Sequence, residues 1–372
     1  MKRFILSASP AKAAAAAHLR YVDAGSKGIR REKRKDAFVY INETTERLVR
    51  DAATLARIRS LAIPPAWTNV WICAQPSGHI QALGRDAKGR KQYRYHAHWR
   101  QTRDQTKFGR MIAFAQALPH IRKRVALDLG QQGLPRERVL ATLVALLATT
   151  GIRVGGDEYA RQNKHYGLTT LMNRHVTVKG EKLRFRFVGK SGKTHEVGVR
   201  NARVAGVIRR CLEIPGQRLF QYIDEQGDAH TVHSEDVNEY LHELAGEEFT
   251  AKDFRTWVGT VTAAANLFGC DCPQTQKAKR EKILEAIDGA ALRLGNTRSI
   301  CRASYIHPAI LTAFEEGRMG KAVPLKTTGR RGLDPIERAT LQLLRLAARA
   351  GSGKRAKTSA IVLASAARLS GR

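Results

Sequence analysis

The amino-acid sequence predicts an α+β fold: a small β-rich N-terminal domain followed by a mainly α-helical domain that carries a small antiparallel β-meander. Three observations predict it. The first hundred residues hold short β-like runs separated by proline and glycine. From about residue 105 the apolar residues recur at i, i+3 and i+4 instead. Within the helical part, HVTVKGEKLRFRFVGKSGKTHEVGV (175–199) alternates in twos about Lys179-Gly180-Glu181 and again about Gly189–Gly192, which reads as three strands joined by tight turns.

Residues 1–18 are rich in Ala, Lys and Ser and read as a flexible N-terminus. The β-rich domain, 19–104, takes strands from DAFVYINE (36–43), NVWICAQ (69–75) and HIQALGRD (79–86), with a helix over 45–62. Ile63-Pro64-Pro65 and Pro76-Ser77-Gly78 punctuate it. The helical domain spans 105–320. MIAFAQALPHIRKRVALDLG (111–130) and PRERVLATLVALLATTG (135–151) open it, with Pro135 suited to a first helical turn. Further helices are expected at 200–212, 234–246, 252–267, 274–294 and 305–317. Residues 321–372 read as a basic C-terminal helix and tail, with Asp334-Pro335 starting the helix.

Charge dominates the composition. The 65 Lys+Arg against 33 Asp+Glu give +32 and a pI near 10.6. A field of that size favours a polyanion, and nucleic acid is the most abundant one. An anionic membrane surface is the weaker rival, because the basic residues are spread over folded-looking segments as well as tails. The apolar run VLATLVALLATTGI (139–152) has 14 residues and suits a buried helix, not a bilayer span. The N-terminus fails as a signal peptide: its apolar run is Phe4-Ile5-Leu6, and Pro10 and Lys12 interrupt the alanine-rich stretch after it. Five cysteines (73, 211, 270, 272, 301) without a CxxC pattern read as reduced thiols of a cytoplasmic protein. His230-x-x-His233 lacks a second ligand pair, so no metal site is expected.

GKSGKT (189–194) imitates a phosphate loop without its spacing. A P-loop needs glycine five positions before the glycine of GK[ST], and Phe187 or Arg184 stands there. The element also lies between strands, so no nucleotide site is read.

What remains is a set of cations without carboxylates. Arg153 lies in TTGIRVGGDEYA (149–160), where glycines open the backbone. Lys190 sits at the tip of a turn. Arg255 lies in AKDFRTWVGT (251–260), with Lys252 three residues earlier on the same helix face. Asn296 lies in LGNT (294–297) and Tyr305 in SICRASYIHPAI (299–310). Singly, each has an ordinary structural reading: a helix cap, an exposed turn, a surface ion pair, core packing.

Taken with LRYVDA (19–24), IPPAWTNVWIC (63–73), GRDAKGRKQYRYH (84–96), FVGKSGK (187–193) and SYIHP (304–308), these motifs resemble the type IB DNA topoisomerases. The likeness is to the small bacterial and poxvirus-like forms and runs over roughly residues 19–318. It implies that Tyr305 is the nucleophile, that Arg153 and Arg255 are the paired arginines, and that Lys190 is the catalytic lysine. Lys252 matches a second lysine of the family. At 296 poxvirus relatives carry histidine; asparagine can donate a hydrogen bond there but adds no positive charge. The resemblance further implies a catalytic domain over 105–320. It implies that one strand of duplex DNA is nicked through a 3′-phosphotyrosyl intermediate, and that supercoils relax by rotation before resealing without ATP, metal or other cofactor. The enzyme would act as a monomer on double-stranded DNA, at the nucleoid.

The chemistry suits these residue types. A tyrosine hydroxyl, with a pKa near 10, needs help to attack. Arginine forks stay protonated and match the non-bridging oxygens of a phosphodiester. One well-aimed donor is worth about 3–4 kcal/mol, so two can stand in for a metal. The leaving sugar oxygen needs a proton, for which Lys190 is the candidate donor.

In GRDAKGRKQYRYH, Arg85, Lys88, Arg90 and Lys91 alternate with Tyr93 and Tyr95, and on a strand the two tyrosines face one side. An ordinary solvated edge strand reads the same way; the resemblance implies DNA contact. Two rival functions stand beside the topoisomerase. A tyrosine site-specific recombinase usually has HxxR where this chain has Lys252-Asp253-Phe254-Arg255, and a helical first domain. A non-enzymatic basic DNA-binding protein explains the charge but predicts no tyrosine–arginine set. Residues 321–372 hold 12 basic residues against Asp334 and Glu337, a net +10, and are expected to add non-specific affinity.

Overall fold

In a computed structural model, the described residues are 11, 14–15, 17–23, 25–35, 37–87, 89–245, 249–268, 270, 273–319 and 332–350, with the side chains of 100–106 left aside. The chain divides into two compact units, Met1–Phe108 and Gly109–Arg372.

The first unit is built on an antiparallel sheet of order β3-β2-β1-β4-β5-β6. Its strands are β1 Ile29–Arg34, β2 Ala37–Asn42, β3 Arg47–Leu48, β4 Thr68–Ile72, β5 Ile80–Arg85 and β6 Lys91–Tyr95. The charged β1, IRREKR, was not expected from the sequence. It pairs in full with β2, from Ile29↔Asn42 to Arg34↔Ala37. The helix expected over 45–62 is shorter: α1 covers Ala52–Ser60, and Asp51 caps it by accepting from the Thr54 amide at 2.7 Å. Its expected first turns are instead a tight turn and β3. Ile29, Ile58, Val70, Ile72 and Ala82 form the core between helix and sheet. The Arg31 guanidinium donates to the carbonyls of Ile63, Pro64 and Trp67, which gives the proline-rich loop the partners its own backbone lacks. The expectation of a flexible N-terminus needs amending where residues are described: Ala14, Ala17 and Leu19 are buried against Trp99.

Helix α2 (Ala97–Asp128), whose residues from 109 onward belong to the second unit, begins earlier than the expected residue 105. The apolar α3 (Arg136–Thr150) is central to this unit, with nearly its whole length buried. Pro135 stands at its N-cap, not in its first turn, and Gly151 ends it in the left-handed conformation at φ 64°. After the short α4 (Asp157–Asn163), β7 (Val176–Lys179), β8 (Lys182–Val188) and β9 (Thr194–Arg200) form the expected meander. Leu183, Phe185 and Phe187 alternate inward along β8. Helix α5 (Ala202–Glu213), the small hairpin β10 (Gln221–Ile223) and β11 (Ala229–Thr231), and α6 (Ser234–Ala245) come next. They lead to α7 (Ala251–Leu267) and α8 (Gln276–Leu294). Phe114 of α2 meets Phe249 and Phe254 edge-on, at 5.3 and 4.9 Å between centroids.

The helix expected over 305–317 starts later, at Pro308, and a short helix that was not expected precedes it. Thr297 caps α9 (Arg298–Ser304), Tyr305 ends it, and α10 (Pro308–Glu315) restarts with His307 as cap. Pro308 enforces the break, since it disfavours helical backbone in the residue before it.

A last helix runs over 335–350. Asp334 and Glu337 cap it reciprocally, each accepting the other's amide, at 2.7 and 3.0 Å. Buried Glu337 also takes two bonds from Arg122, at 2.7 and 2.8 Å, and one from the Trp257 indole at 2.9 Å. The expected tail beyond 350 lies outside the described residues. Among the described residues no helix is long and apolar enough to cross a membrane.

Candidate active site

Four of the singled-out residues meet where α3, α7, α8 and α9 end or turn. Arg255, in the second turn of α7, is 4% exposed. Its guanidinium donates to the carbonyls of Gly151, at the end of α3, and of Leu294, the last residue of α8. Both acceptors belong to helix C-termini, whose carbonyls lack partners and carry partial negative charge. Two helix ends therefore hold a buried cation that has no carboxylate. The same guanidinium lies over the Tyr305 ring, 4.9 Å from its centroid.

Gly151 also delivers Arg153, two residues on. The Arg153 guanidinium donates to the Asn296 side-chain oxygen. Asn296 comes directly after Gly295, the left-handed C-cap of α8 at φ 59°. Its Nδ2 and the Arg255 Nε are buried without a protein acceptor. Buried donors without partners are rare in folded proteins and suit an anion that arrives later.

Tyr305 depends on a glycine. A Cβ on Gly259 of α7 would lie 2.6 Å from the Tyr305 carbonyl and 3.1 Å from its Cβ. One helical turn brings Arg255 and this glycine onto one face. The Thr260 hydroxyl donates to the same carbonyl at 3.3 Å.

The electrostatics are set by the packing. Burial opposes ionisation of the Tyr305 phenol, yet Arg255, Arg153 and Lys252 outweigh it and bring its pKa below the usual value. Burial and the neighbouring Arg255 push Arg153 down to about 10. Burial lowers Arg255 as well. Both arginines remain charged at neutral pH.

The hairpin between β8 and β9 contributes differently. Lys190 is exposed on the turn, and its ammonium lies 5.7 Å from the centroid of the Tyr159 ring. Lys193 of the same turn reaches the cluster, donating to the Asn296 carbonyl at 3.2 Å. His195, which motif reasoning passed over, is half-buried beside it. Burial, Arg153, Arg255 and Lys193 hold its pKa down to about 4. Its sequence signal is slight: an inward strand position opposite Phe187.

A family model described as the catalytic core of eukaryotic DNA topoisomerase I matches residues 96–322, and one for the N-terminal domain of bacterial DNA topoisomerase IB matches 37–86. DNA topoisomerase 1B of Acanthamoeba polyphaga mimivirus is 35% identical over 303 residues, covering 77% of this chain and 88% of its own. The chain belongs to the type IB DNA topoisomerases. Vaccinia virus (strain Copenhagen) DNA topoisomerase 1B is 26% identical, and monkeypox virus DNA topoisomerase I 23%. Each of these alignments runs over 240 residues, 63% of this chain and 72% of the relative.

This topoisomerase carries its second group of candidate residues in the first unit. Tyr93 and Tyr95 lie on one side of β6, their rings stacked at 5.8 Å and 11°. β6 ends the sheet order, and Tyr95 also packs against the cluster of Ala14, Ala17, Leu19 and Trp99. Lys91 is exposed at its start. Arg85 donates to the Gly89 carbonyl at 2.7 Å, and Arg90 is paired with Asp86 at 2.7 Å. That pairing leaves Arg90 less charge to offer than its sequence position promised. Lys88 lies outside the described residues. Lys252 is exposed on the first turn of α7. Among the described residues no group of three His, Cys, Asp or Glu could hold a metal ion.

Proposed function

We propose that this topoisomerase nicks one strand of duplex DNA by attack of the Tyr305 hydroxyl on a backbone phosphate. The Tyr305 hydroxyl gives up its proton to water as its oxygen bonds to phosphorus, the bond to the 5′-oxygen breaks, and the 3′-phosphate stays on the enzyme. The nicked duplex rotates, and the 5′-hydroxyl then attacks the phosphotyrosine and reverses the step. The ester keeps the bond energy, so no ATP is spent.

In this reading Arg153 and Arg255 neutralise the non-bridging oxygens as charge builds there. The free Nδ2 of Asn296 adds a neutral donor to the same phosphate. The observation that carries the reading is that Arg255 lies over the Tyr305 ring, that Arg153 bonds Asn296, and that Arg255, Arg153 and Lys252 together lower the pKa of the phenol. Lys190 is the proposed proton donor to the departing 5′-oxygen, and it must leave the Tyr159 ring to serve. Arg85, Lys88, Arg90, Lys91, Tyr93, Tyr95 and Lys252 are the proposed DNA contacts, cations for phosphates and rings for sugars or bases. All proposed catalytic groups come from one chain, which supports action as a monomer. The charge of +32 supports residence on chromosomal DNA.

The test is Tyr305→Phe. It is expected to bind DNA with nearly unchanged affinity, relax nothing and leave no covalent adduct when denatured on DNA. Adduct formation at the parental level would remove Tyr305 as nucleophile.

A further inference from the structure

The His195 imidazole is clasped by two glycines that belong to different parts of the site. A Cβ on Gly189, which directly precedes Lys190, would lie 2.6 Å from the His195 Cδ2 and 2.7 Å from its Nε2. A Cβ on Gly295, which directly precedes Asn296, would lie 2.8 and 2.9 Å from the two ring nitrogens. Any other residue at either glycine would strike the ring. On a third side the ring stacks on Phe187, its cross-strand partner, at 5.1 Å and 6°. The Lys193 ammonium ties the same turn to the Asn296 carbonyl at 3.2 Å.

Uncharged, the ring can rest beside Arg153, Arg255 and Lys193 without repulsion, and its suppressed pKa of about 4 keeps it so at neutral pH. The side chain thus fills the seam between the hairpin bearing Lys190 and the turn bearing Asn296. At the tip of the hairpin Ser191 is left-handed at φ 67°, and Lys190 itself is exposed. Without a filled seam, the distance of the hairpin root from the phosphate-binding groups rests on tethers such as the Lys193 ammonium on the Asn296 carbonyl and the Tyr166 amide on the Val188 carbonyl at 2.8 Å.

We propose that His195 is a positioning residue that locks the hairpin carrying the proton donor to the turn carrying Asn296. The proton donor and the phosphate-binding arginines then meet the DNA with a fixed spacing. The proposal rests on the reading that a hairpin lysine supplies the proton, with Lys190 the first candidate.

The experiment measures single-turnover cleavage of an ordinary duplex and of one with a bridging 5′-sulfur at the scissile bond. A thiolate leaves without a proton, so only defects in proton delivery are relieved. His195→Ala is expected to slow cleavage of the ordinary bond by about 10- to 100-fold, the scale of a small misplacement. It should regain near-parental rates with sulfur, at unchanged DNA affinity. Gly189→Ala, whose extended backbone at φ −98° accepts alanine, pushes the ring out and should reproduce the defect. It removes nothing from the core, so it also serves if His195→Ala loses its fold. The double variant should be no slower than Gly189→Ala alone, because the new methyl then occupies the emptied seam. Parental speed in His195→Ala, equal slowing on both substrates, or effects of the two substitutions that multiply would each overturn the proposal. If sulfur rescues His195→Ala but not Lys190→Ala, the reading of Lys190 falls and that of His195 stands. The converse pattern removes His195 alone.

Discussion

The pocket around Tyr305 and the hairpin bearing Lys190 lie in one unit and are built on opposite principles. Arg255 is 4% exposed and gripped by two helix C-termini, and Asn296 is 8% exposed and bonded to Arg153. Lys190 is exposed on a turn, and its ammonium lies near an exposed tyrosine. The difference matches the demands of the proposed reaction. Groups that stabilise charge act best when fixed before the substrate arrives, since they then need no reorganisation. A proton donor must reach an oxygen whose position is set by the bound DNA, and a short turn allows that.

Losing Arg255 should damage the fixed side most. Arg255→Ala removes a guanidinium that faces both the phenol and, in the proposed reaction, the phosphate. Cleavage by the variant is expected to fall by about 10² to 10³-fold, the cost of one lost oxyanion donor. It also leaves the Gly151 and Leu294 carbonyls without that partner, so the melting temperature should fall too. Single-turnover adduct formation and thermal unfolding, measured together, check both effects. A variant that cleaves at near-parental rate would put the charge stabilisation elsewhere.

Gly259→Ala probes the fixed side without touching any charge. The added methyl must push on the Tyr305 backbone, 2.6 Å away. A displacement near 1 Å is expected to cost about 100-fold in cleavage while DNA affinity stays the same. Equal loss of affinity and cleavage would mean that the helix packing, and not the tyrosine, had moved.

A smaller effect concerns pH. The phenol of Tyr305 is held below its usual pKa, so raising the pH should speed cleavage until an inflection below about 10 is passed. Lys252 is the outermost of the cations that lower it. Lys252→Ala should therefore shift the inflection upward and slow cleavage at neutral pH several-fold, with little effect above the inflection. An unchanged profile would limit Lys252 to DNA contact.

Much of this candidate site is legible in the sequence, because the residues proposed to react sit in local motifs. Gly151-Ile152-Arg153, Lys252-Asp253-Phe254-Arg255 and Gly295-Asn296 each carry their own turn or helix start. What holds them is not legible. The acceptors of Arg255 lie 104 and 39 residues away, and no local pattern announces a helix end as the partner of a cation. His195 reads as an ordinary inward strand position until Gly189 and Gly295 are seen to close on it. In the fold, the meander and the long helices reflect their periods. Strand β1 was hidden by its charge, since it is recruited by pairing with β2 and β4 and only Ile29 is buried. Helix α9 was hidden by its length of seven residues beside Pro308.

In the proposed reaction the fixed cluster around Tyr305 stabilises charge and the hairpin supplies the proton. The most direct measurement is cleavage by Lys190→Ala and Arg255→Ala on duplexes with ordinary and 5′-sulfur scissile bonds. Lys190→Ala should be severely slow on oxygen and largely restored by sulfur, which leaves as a thiolate. Arg255→Ala should stay slow on both, because sulfur leaves the non-bridging charge in place. Full rescue of Arg255→Ala alongside an unrescued Lys190→Ala would reverse the two assignments and contradict the account. Rescue of Lys193→Ala or Lys252→Ala in place of Lys190→Ala would move the proton to that lysine.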